Sequence, residues 1–371
     1  MASVAVAQRT SGVVFHELTG DASWSFAGEA KGLWPAAAPR HGGWTACVID
    51  ESSRLEHHGP FGTLEVPGSK TEPPALLGPR LGHYAAWARS GDTLCYVVPD
   101  GRALSLRTWR SGESGFRTHL SAAPLFPAWV PGTHWLLCHH GATLSAFETI
   151  TGEQRILSAS ATGFRTPAVS DDGSCIAWAE VANGQVCVMT SGLRTDPRQV
   201  ATFSSALTLS FRPGTAELTA AVATSPESGV FASVVSVPSE GEPQRIVKGP
   251  LVAYWWAPDG ERLVVLHPSY TGDGRFQPRL YDAGGRFLAA MEPLIPAQDT
   301  ATVIGFFDQY AVSHPNWSAD SRWFGICGRV VTEGPHPSFS GGSPDSAFAW
   351  DTRAAGAPHI LGRGTMLAFE R

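Results

Sequence analysis

The sequence predicts an all-β fold built from repeated four-stranded sheets, and two observations lead to this prediction. The composition is typical of short strands joined by tight turns, with 40 glycines, 28 prolines and only 16% charged residues. The chain also repeats itself, because an apolar anchor, a polar turn and an alternating apolar strand recur about every 40 to 60 residues. An apolar fraction of 43% excludes a disordered chain.

Seven copies of the repeat can be aligned, and each contains one anchor residue. The clear copies are AAWARSGDTLCYVV, PAWVPGTHWLLCHH, PAVSDDGSCIAWAE, LSFRPGTAELTAAV, YWWAPDGERLVVLH and PNWSADSRWFGICG, and a degenerate copy, AAAPRHGGWTACVI, precedes them. The anchors are Ala38, Trp87, Trp129, Val169, Phe211, Trp256 and Trp317. Because this spacing is the length of a four-stranded blade, we predict a single β-propeller with seven blades, and eight blades are the alternative.

Each element of the repeat has a physical role. Asp, Ser, Pro and Gly after the anchor supply the backbone angles and side-chain hydrogen bonds of a tight turn. The aromatic anchors are predicted to fill the space between neighbouring blades, as core residues. A second strand follows the turn, and then a third such as RALSLRTWR or SAFAWDTR.

The two ends of the chain are predicted to meet. The segments GVVFHELTG and ASWSFAG are typical of a hairpin, and TMLAFER can pair beside them and close the ring. Residues 1–11 are predicted to be a flexible tail, and residues 12–371 a single propeller domain.

Charge and targeting signals restrict the partners. A net charge of −6 and the lack of a basic stripe argue against nucleic acid. No run of about 18 apolar residues exists, so we expect no membrane insertion. The start, MASVAVAQRTSG, has no basic segment of a secretory signal, so we expect a cytoplasmic protein with reduced cysteines.

The phrase W-S-P-D-G followed by an apolar strand resembles the repeat of TolB-like proteins, which is related to the WD repeat. WAPDGERLVVL and WSADSRWFGIC match it best, and the resemblance covers about residues 33–362. The segment from VAYWWAPDGERLVVL to GTMLAF looks more like cytoplasmic TolB-like proteins of actinobacteria-type genomes. The resemblance implies a bacterial propeller that accompanies membrane transport components, and it implies no catalytic activity. Because no secretion signal is found, the envelope role of periplasmic TolB is not implied.

The repeat places several side chains on one predicted face near a channel mouth. Loops before inner strands and loops between the second and third strands open on the same face, which collects His57, His58, His139, His140, His267 and His336. Four residues before the anchors lie Trp34, His83, Leu125, Arg165, Leu207, Val252 and Ser313. Three residues before them lie Pro35, Tyr84, Phe126, Thr166, Thr208, Ala253 and His314. Such an aromatic and weakly basic rim is suited to an aromatic or anionic small molecule.

Two longer segments extend this face. Residues 297–311 are predicted to be a loop that enlarges the entrance, although FFDQY can simply pack its aromatic rings in the core. Residues 331–345 form a Gly/Pro/Ser-rich insertion that can act as a lid. The predicted ligand-binding residues are therefore Trp34, His83, Tyr84, Phe126, Arg165, His267, Tyr270, Asp308, Gln309, Tyr310 and His314.

Motifs for common reactions are missing from the sequence. It contains no G-x-S-x-G elbow and no phosphate-binding glycine loop. The segment HP-x-W-S-x-D resembles part of the propeller lyases that act on uronic-acid oligomers with a divalent metal. That resemblance implies a metal set of His267, Gln309, His314 and His336, with Arg165 orienting a carboxylate substrate.

We therefore predict a non-catalytic module that recognises a small molecule or a partner protein at the channel mouth. It would serve as an accessory to transport, resistance or biosynthesis, and it would need no cofactor. The first alternative is a metal-dependent, lyase-like enzyme acting on a carboxylate-bearing substrate. The second is a scaffold that only binds protein.

Overall fold

A computed structural model describes residues 3–8, 12–18, 23–26, 33–38, 43–48, 54–59, 62–69, 84–162, 167–225, 228–269, 274–330, 345–354 and 356–370. The chain forms two compact units. The terminal unit comprises residues 1–65, 73–82 and 251–371, and the middle unit comprises residues 66–72 and 83–250. Most of the described residues lie in antiparallel strands.

The strands and helices are numbered in the order in which they follow one another along the chain. They are β1 (Ser3–Gln8), β2 (Gly12–Glu17), β3 (Ser23–Phe26), β4 (Leu33–Ala38), β5 (Gly43–Val48), β6 (Arg54–Gly59), β7 (Gly62–Glu65), β8 (Ala85–Trp87), β9 (Thr93–Asp100), β10 (Ala103–Arg110), β11 (Arg117–Ala122), β12 (Leu125–Trp129), β13 (Trp135–His140), β14 (Thr143–Glu148), β15 (Gln154–Ser158), β16 (Ala168–Val169), β17 (Ile176–Ala182), β18 (Gln185–Ser191), β19 (Arg198–Phe203), β20 (Leu207–Phe211), β21 (Leu218–Ala223), β22 (Phe231–Val237), β23 (Gln244–Leu251), β24 (Ala253–Trp256), β25 (Arg262–Pro268), β26 (Phe276–Asp282), β27 (Phe287–Ala290), β28 (Leu294–Pro296), α1 (Gln298–Gly305), α2 (Phe307–Tyr310), β29 (Trp323–Val330), β30 (Ser346–Asp351), β31 (His359–Arg363) and β32 (Met366–Phe369).

Four-stranded antiparallel sheets are the common building unit of this order. In the middle unit the sheets are β8 to β11, β12 to β15, β16 to β19 and β20 to β23, each with its strands in sequence order. In the terminal unit one sheet contains β4 to β7 and another has the order β3-β2-β1-β32. A larger sheet joins β24 to β26 with β28 to β31, and β27 pairs with β26. The predicted all-β class is confirmed, and the number of blades stays a prediction.

The start of the chain differs from the predicted flexible tail. Residues 3–8 form β1, which pairs with β2 on one side and with β32 on the other. Val4 and Val6 of this strand are fully buried. The C-terminal strand therefore pairs beside β1 rather than beside the β2–β3 hairpin. The alternating valines of SVAVAQ are the local signal of this strand.

The predicted turn chemistry is present in the repeats. The Ser170 hydroxyl donates to Asp172 at 2.6 Å and accepts the backbone N–H of Cys175 at 2.9 Å. In the last repeat the Ser318 hydroxyl donates to Asp320 at 2.5 Å and accepts a backbone N–H at 2.9 Å. The serine thus links both ends of the turn, so Ser-x-Asp selects a hairpin by local hydrogen bonding.

The aromatic anchors are buried, as predicted, and two of them also hydrogen-bond to a strand of another repeat. The side chains of Trp87, Trp129, Trp256 and Trp317 are all buried. The indole N–H of Trp129 donates to the Ala86 carbonyl of β8 at 2.9 Å. The indole N–H of Trp317 donates to the Trp255 carbonyl of β24 at 3.1 Å. In both cases the acceptor is the residue directly before the anchor of another repeat.

Residues 297–311 are mainly helical, not a loop. Helices α1 and α2 occupy most of this segment, and α1 buries Thr300, Val303 and Ile304. These positions are spaced by three and one residues, as on one face of a helix. Phe307 packs against Tyr254 and Trp255, with ring centroids 5.3 and 6.0 Å away, so the aromatic residues of FFDQY contribute to the core.

Among the described residues, no helix has the length and apolar character needed to cross a bilayer.

Candidate functional site

A small, partly open cavity lies among three consecutive sheets of the middle unit. Its volume is about 20 Å³. The sheets that contribute to it contain β13 and β14, β17, and β20. The lining residues are His139, Leu144, Ala161, Thr162, Pro167, Trp178, Ala179, Leu207, Thr208 and Leu209.

The walls of this cavity are mostly apolar, with a few polar groups among them. Thr208 is only 1% exposed, and its hydroxyl has no hydrogen-bond partner among the residues that the structure describes. His139, which is 3% exposed, borders the same cavity. A buried hydroxyl without a partner costs about 1–3 kcal/mol of stability.

Two predicted rim residues lie next to each other in the middle unit. The rings of Tyr84 and Phe126 have centroids 4.4 Å apart and planes inclined by 56°. Phe126 is the cross-strand partner of His139, because β12 and β13 pair in that register. Both rings are buried rather than open to solvent. Tyr84, Phe126 and Thr208 all occupy the repeat position three residues before the anchor, and all three belong to the middle unit.

In the terminal unit the structure brings together two other predicted residues, Tyr310 and His314. Their rings are 5.6 Å apart in an edge-on arrangement, and the backbone N–H of His314 donates to the Tyr310 carbonyl at 2.7 Å. Nδ1 of His314 lies 2.8 Å from the Ser313 hydroxyl. His314 is 2% exposed, and this burial lowers the pKa of its imidazole to about 3. The imidazole is therefore neutral at physiological pH.

The neutral state of His314 predicts an acid-sensitive fold. In the unfolded chain the pKa of His314 is about 6.5, whereas in the folded protein it is about 3. Between these two pH values only the unfolded chain binds the proton, so the free energy of unfolding decreases as the pH falls towards 3. Between about pH 7 and about pH 5, His314 should account for a loss of about 2 kcal/mol. Urea unfolding of the wild type and of His314→Gln at both pH values measures this contribution.

We expect the variant to lose about 2 kcal/mol less than the wild type over that interval. His119 serves as an internal reference, because burial lowers its pKa to about 4 and both proteins retain it. An equal loss of stability in the two proteins would show that His314 is not the titrating group.

The predicted metal residues are only partly described. Nε2 of His267 lies 3.0 Å from the Tyr281 hydroxyl in the adjacent strand, and the His267 side chain is buried. Gln309 is buried in α2 beside the half-buried Asp308. Within the described parts of the chain, no group of three or more His, Cys, Asp or Glu side chains is placed to hold a metal ion.

Several predicted residues cannot be placed in a site. His83, Arg165, Tyr270 and His336 lie outside the described residues, as do residues 331–344 of the predicted lid. Trp34 lies in β4, but its side chain is outside the described part of the structure. The described predicted residues belong to two units: Tyr84 and Phe126 to the middle unit, and His267, residues 308–310 and His314 to the terminal unit.

The cavity contains two residues that the predicted site omitted, Thr208 and His139. Both carried a signal in the sequence, since Thr208 occupies the same repeat position as Tyr84 and His139 belongs to the histidines of the predicted face. Their importance depends on packing among three sheets, which no local pattern shows.

No family model matches the sequence, and no curated protein matches it. The structure resembles an oligogalacturonate lyase in complex with manganese, with 12% identity, a TM-score of 0.53, and coverage of 89% of this chain and 84% of the lyase. It also resembles a eukaryotic initiation factor, with 11% identity, a TM-score of 0.58, and coverage of 99% and 98%. TolB from Acinetobacter baumannii has 13% identity and a TM-score of 0.44, with coverage of 91% and 81%.

These likenesses concern the fold, because identities this low do not transfer an activity. The likeness to TolB is too weak to bear on the fold. The predicted origin in actinobacteria-type genomes stays a prediction. Together with the repeated four-stranded antiparallel sheets, the likenesses to the lyase and the initiation factor support a β-propeller fold.

Proposed function

We propose that the protein is a binding module for a small molecule and that its middle unit takes the ligand at the cavity bordered by Thr208 and His139. The observation that supports this proposal is a partly open cavity among three sheets, with mostly apolar walls and a few polar residues. Binding sites of this kind combine apolar walls with a few polar groups that orient the ligand.

The composition of the cavity favours binding over catalysis. Acid–base chemistry usually needs two titratable groups whose environments separate their pKa values. Of the described residues that line the cavity, His139 is the one with an imidazole, and none carries a carboxylate. A non-catalytic role therefore fits the described residues better than general acid–base catalysis.

A substitution that fills the cavity should weaken binding. Ala161 is 5% exposed and lines the cavity, so Ala161→Val places two methyl groups in the space. In a screen of small alcohols, phenols, amides and carboxylates by ligand-observed NMR, we expect wild-type hits to lose at least about tenfold in affinity.

The matched control is Ala290→Val, because Ala290 lies on the exposed strand β27. This variant should bind the same compounds as the wild type. Hits that bind Ala161→Val with wild-type affinity would place the ligand site elsewhere, and a screen without any hit would contradict the small-molecule proposal.

A metal-dependent, lyase-like activity on a carboxylate substrate is the second candidate. It is supported by the buried, neutral imidazole of His314 and the buried amide of Gln309, since neutral imidazole is a metal ligand. Metal analysis of the purified protein, with His267→Ala/His314→Ala as comparison, tests it. Stoichiometric metal that the variant loses would favour this activity.

We also propose that the protein acts in the cytoplasm. The buried thiols of Cys95, Cys138 and Cys327 are free, and burial raises their pKa values, with that of Cys138 reaching about 12. Such inert thiols are compatible with the cytoplasm and with an accessory role in transport, resistance or biosynthesis. A partner protein remains the alternative ligand.

A further inference from the structure

We propose that strand β27 is an interface through which the protein pairs with the same strand of a second copy of this chain. This proposal goes beyond the proposed ligand binding, because β27 belongs to the terminal unit and the cavity to the middle unit. Three observations lead to it: the exposure of the strand, the direction of its backbone groups, and the match between its side chains and those of a copy.

Strand β27 is exposed at every residue. Phe287 is 53% exposed and Leu288 is 40% exposed, and Ala289 and Ala290 are exposed as well. The outer strands β11, β15 and β19, in contrast, each bury or half-bury some of their residues. Because side chains along a strand point to both faces of the sheet, solvent reaches both faces of β27.

One edge of β27 is open to a further strand. The other edge pairs with β26, and β26 is the one described strand with which β27 pairs. Open edges pair with other chains unless lysine, proline or another protective feature prevents it. The sequence Phe-Leu-Ala-Ala contains neither a charged residue nor a proline.

Two backbone groups of β27 point towards the open edge. The carbonyl of Arg286 accepts a hydrogen bond from β26 at 3.0 Å, and the N–H of Met291 donates one to β26 at 2.9 Å. The C=O and N–H of one trans peptide group point in opposite directions. The N–H of Phe287 and the C=O of Ala290 therefore point away from β26.

This donor and this acceptor match those of a second copy. Leu288 is the extra residue of a β-bulge, since Ala289 and Phe287 pair with consecutive residues of β26. The bulge is the reason that a donor and an acceptor three residues apart share one edge. When two β27 strands run antiparallel about a two-fold axis at the bulge, each Phe287 N–H meets the Ala290 carbonyl of the other copy.

The side chains fit the same arrangement. Phe287 of one copy lies opposite Ala290 of the other, and Leu288 lies beside Ala289 of the other. Each large side chain thus faces a small one, which allows the two strands to pack closely.

The charges beside β27 favour an antiparallel pair. Arg286 precedes the strand and forms an ion pair with Asp282 at 2.9 Å, and Glu292 follows the strand. Antiparallel pairing brings Arg286 towards Glu292 of the other copy, whereas parallel pairing would bring each residue towards its own like charge. The occupant that the edge fits is therefore a second copy of β27.

The pairing is expected to be weak, because a strand of four residues covers less than the roughly 800 Å² per partner of a standard interface. We expect a Kd on the order of 100 µM, measured by sedimentation velocity of the whole chain between about 5 and 500 µM. Leu288→Lys places two like charges near the axis and should raise the Kd at least about tenfold.

The matched control is Ile156→Lys, because Ile156 is 67% exposed on the outer strand β15. This variant should dimerise like the wild type. Since both substituted residues are exposed, thermal unfolding should give both variants the Tm of the wild type.

A mixture of Phe287→Cys and Ala290→Cys tests the register. On mild oxidation the mixture should form a disulfide-linked dimer, because opposite residues of a hydrogen-bonded antiparallel pair have Cα atoms about 5.5 Å apart. Each variant alone should stay unlinked, because identical positions are then too distant for a disulfide. The wild type controls for the native thiols.

A wild type that stays monomeric over the whole concentration range would overturn the proposal and leave a strand of another protein as the occupant. Equal weakening by Leu288→Lys and Ile156→Lys would overturn it too, as would cross-linking of Phe287→Cys alone. None of these measurements involves the cavity, so the proposed ligand binding is tested separately.

Discussion

Gly173→Ala is expected to destabilise the protein by more than about 3 kcal/mol, which is the largest effect we predict for a single methyl group. Gly173 has a φ of +71°, a region that costs alanine about 1–2 kcal/mol. A Cβ atom at this position would also lie 2.5 Å from the backbone carbonyl oxygen of Pro131. A backbone atom cannot move aside as a flexible side chain can, so the turn itself must shift.

Gly132→Ala is the matched control for this prediction. Gly132 occupies the corresponding turn of the preceding repeat, has the same φ of +71°, and has no described atom within 4 Å of the point that a Cβ would occupy. It should therefore cost only about 1–2 kcal/mol. Because both changes affect the unfolded chain equally, the difference in free energy of unfolding, measured in urea, isolates the steric clash. Equal costs would show that the Pro131 carbonyl relaxes without penalty.

Trp129→Ala is expected to cost about 3–5 kcal/mol, because it removes a large buried side chain and leaves a cavity. Trp129 also donates its indole N–H to the Ala86 carbonyl at 2.9 Å, which ties the sheet of β12 to the sheet of β8. Trp129→Phe keeps most of the aromatic volume but removes this donor. The Ala86 carbonyl would then lose this donor, and we expect the loss of the hydrogen bond to cost about 0.5–1.5 kcal/mol.

Trp323→Phe separates the loss of ring volume from the loss of the hydrogen bond. Trp323 is also buried, but its indole N–H has no hydrogen-bond partner among the described residues. We therefore expect its replacement to cost about 0.5–1.5 kcal/mol less than Trp129→Phe, as measured by urea unfolding. Similar costs for the two variants would mean that the hydrogen bond between Trp129 and the Ala86 carbonyl adds little stability beyond side-chain packing.

The elements that the sequence predicted well are those determined by nearby residues. The Ser170 and Ser318 turns are closed by hydrogen bonds that span five residues or fewer. The Ser-x-Asp motif therefore produces the same turn in both repeats. The anchors were also predictable, because a large aromatic side chain directly before a turn and an alternating apolar strand is expected to be buried in the core. The all-β class follows from these repeated local units.

The elements that were predicted wrongly depend on distant contacts. Residues 3–8 are a strand because β32, at the other end of the chain, supplies one of their two partners. Residues 298–305 and 307–310 are helical because α1 buries one face and α2 packs Phe307 on aromatic residues of β24. The prediction of a loop rested on the length of the connection and not on the spacing of its apolar residues.

The sequence by itself determined the repeat, the class of fold, the anchors and the repeat position that carries Tyr84, Phe126 and Thr208. Only the tertiary structure decided that the two aromatic rings pack together and that Thr208 and His139 line the same cavity. The physical reason is the distance along the chain between the residues that interact. Turns and strands follow from hydrogen bonds and side-chain alternation within a few residues, whereas a cavity is the space that three sheets leave when their side chains pack.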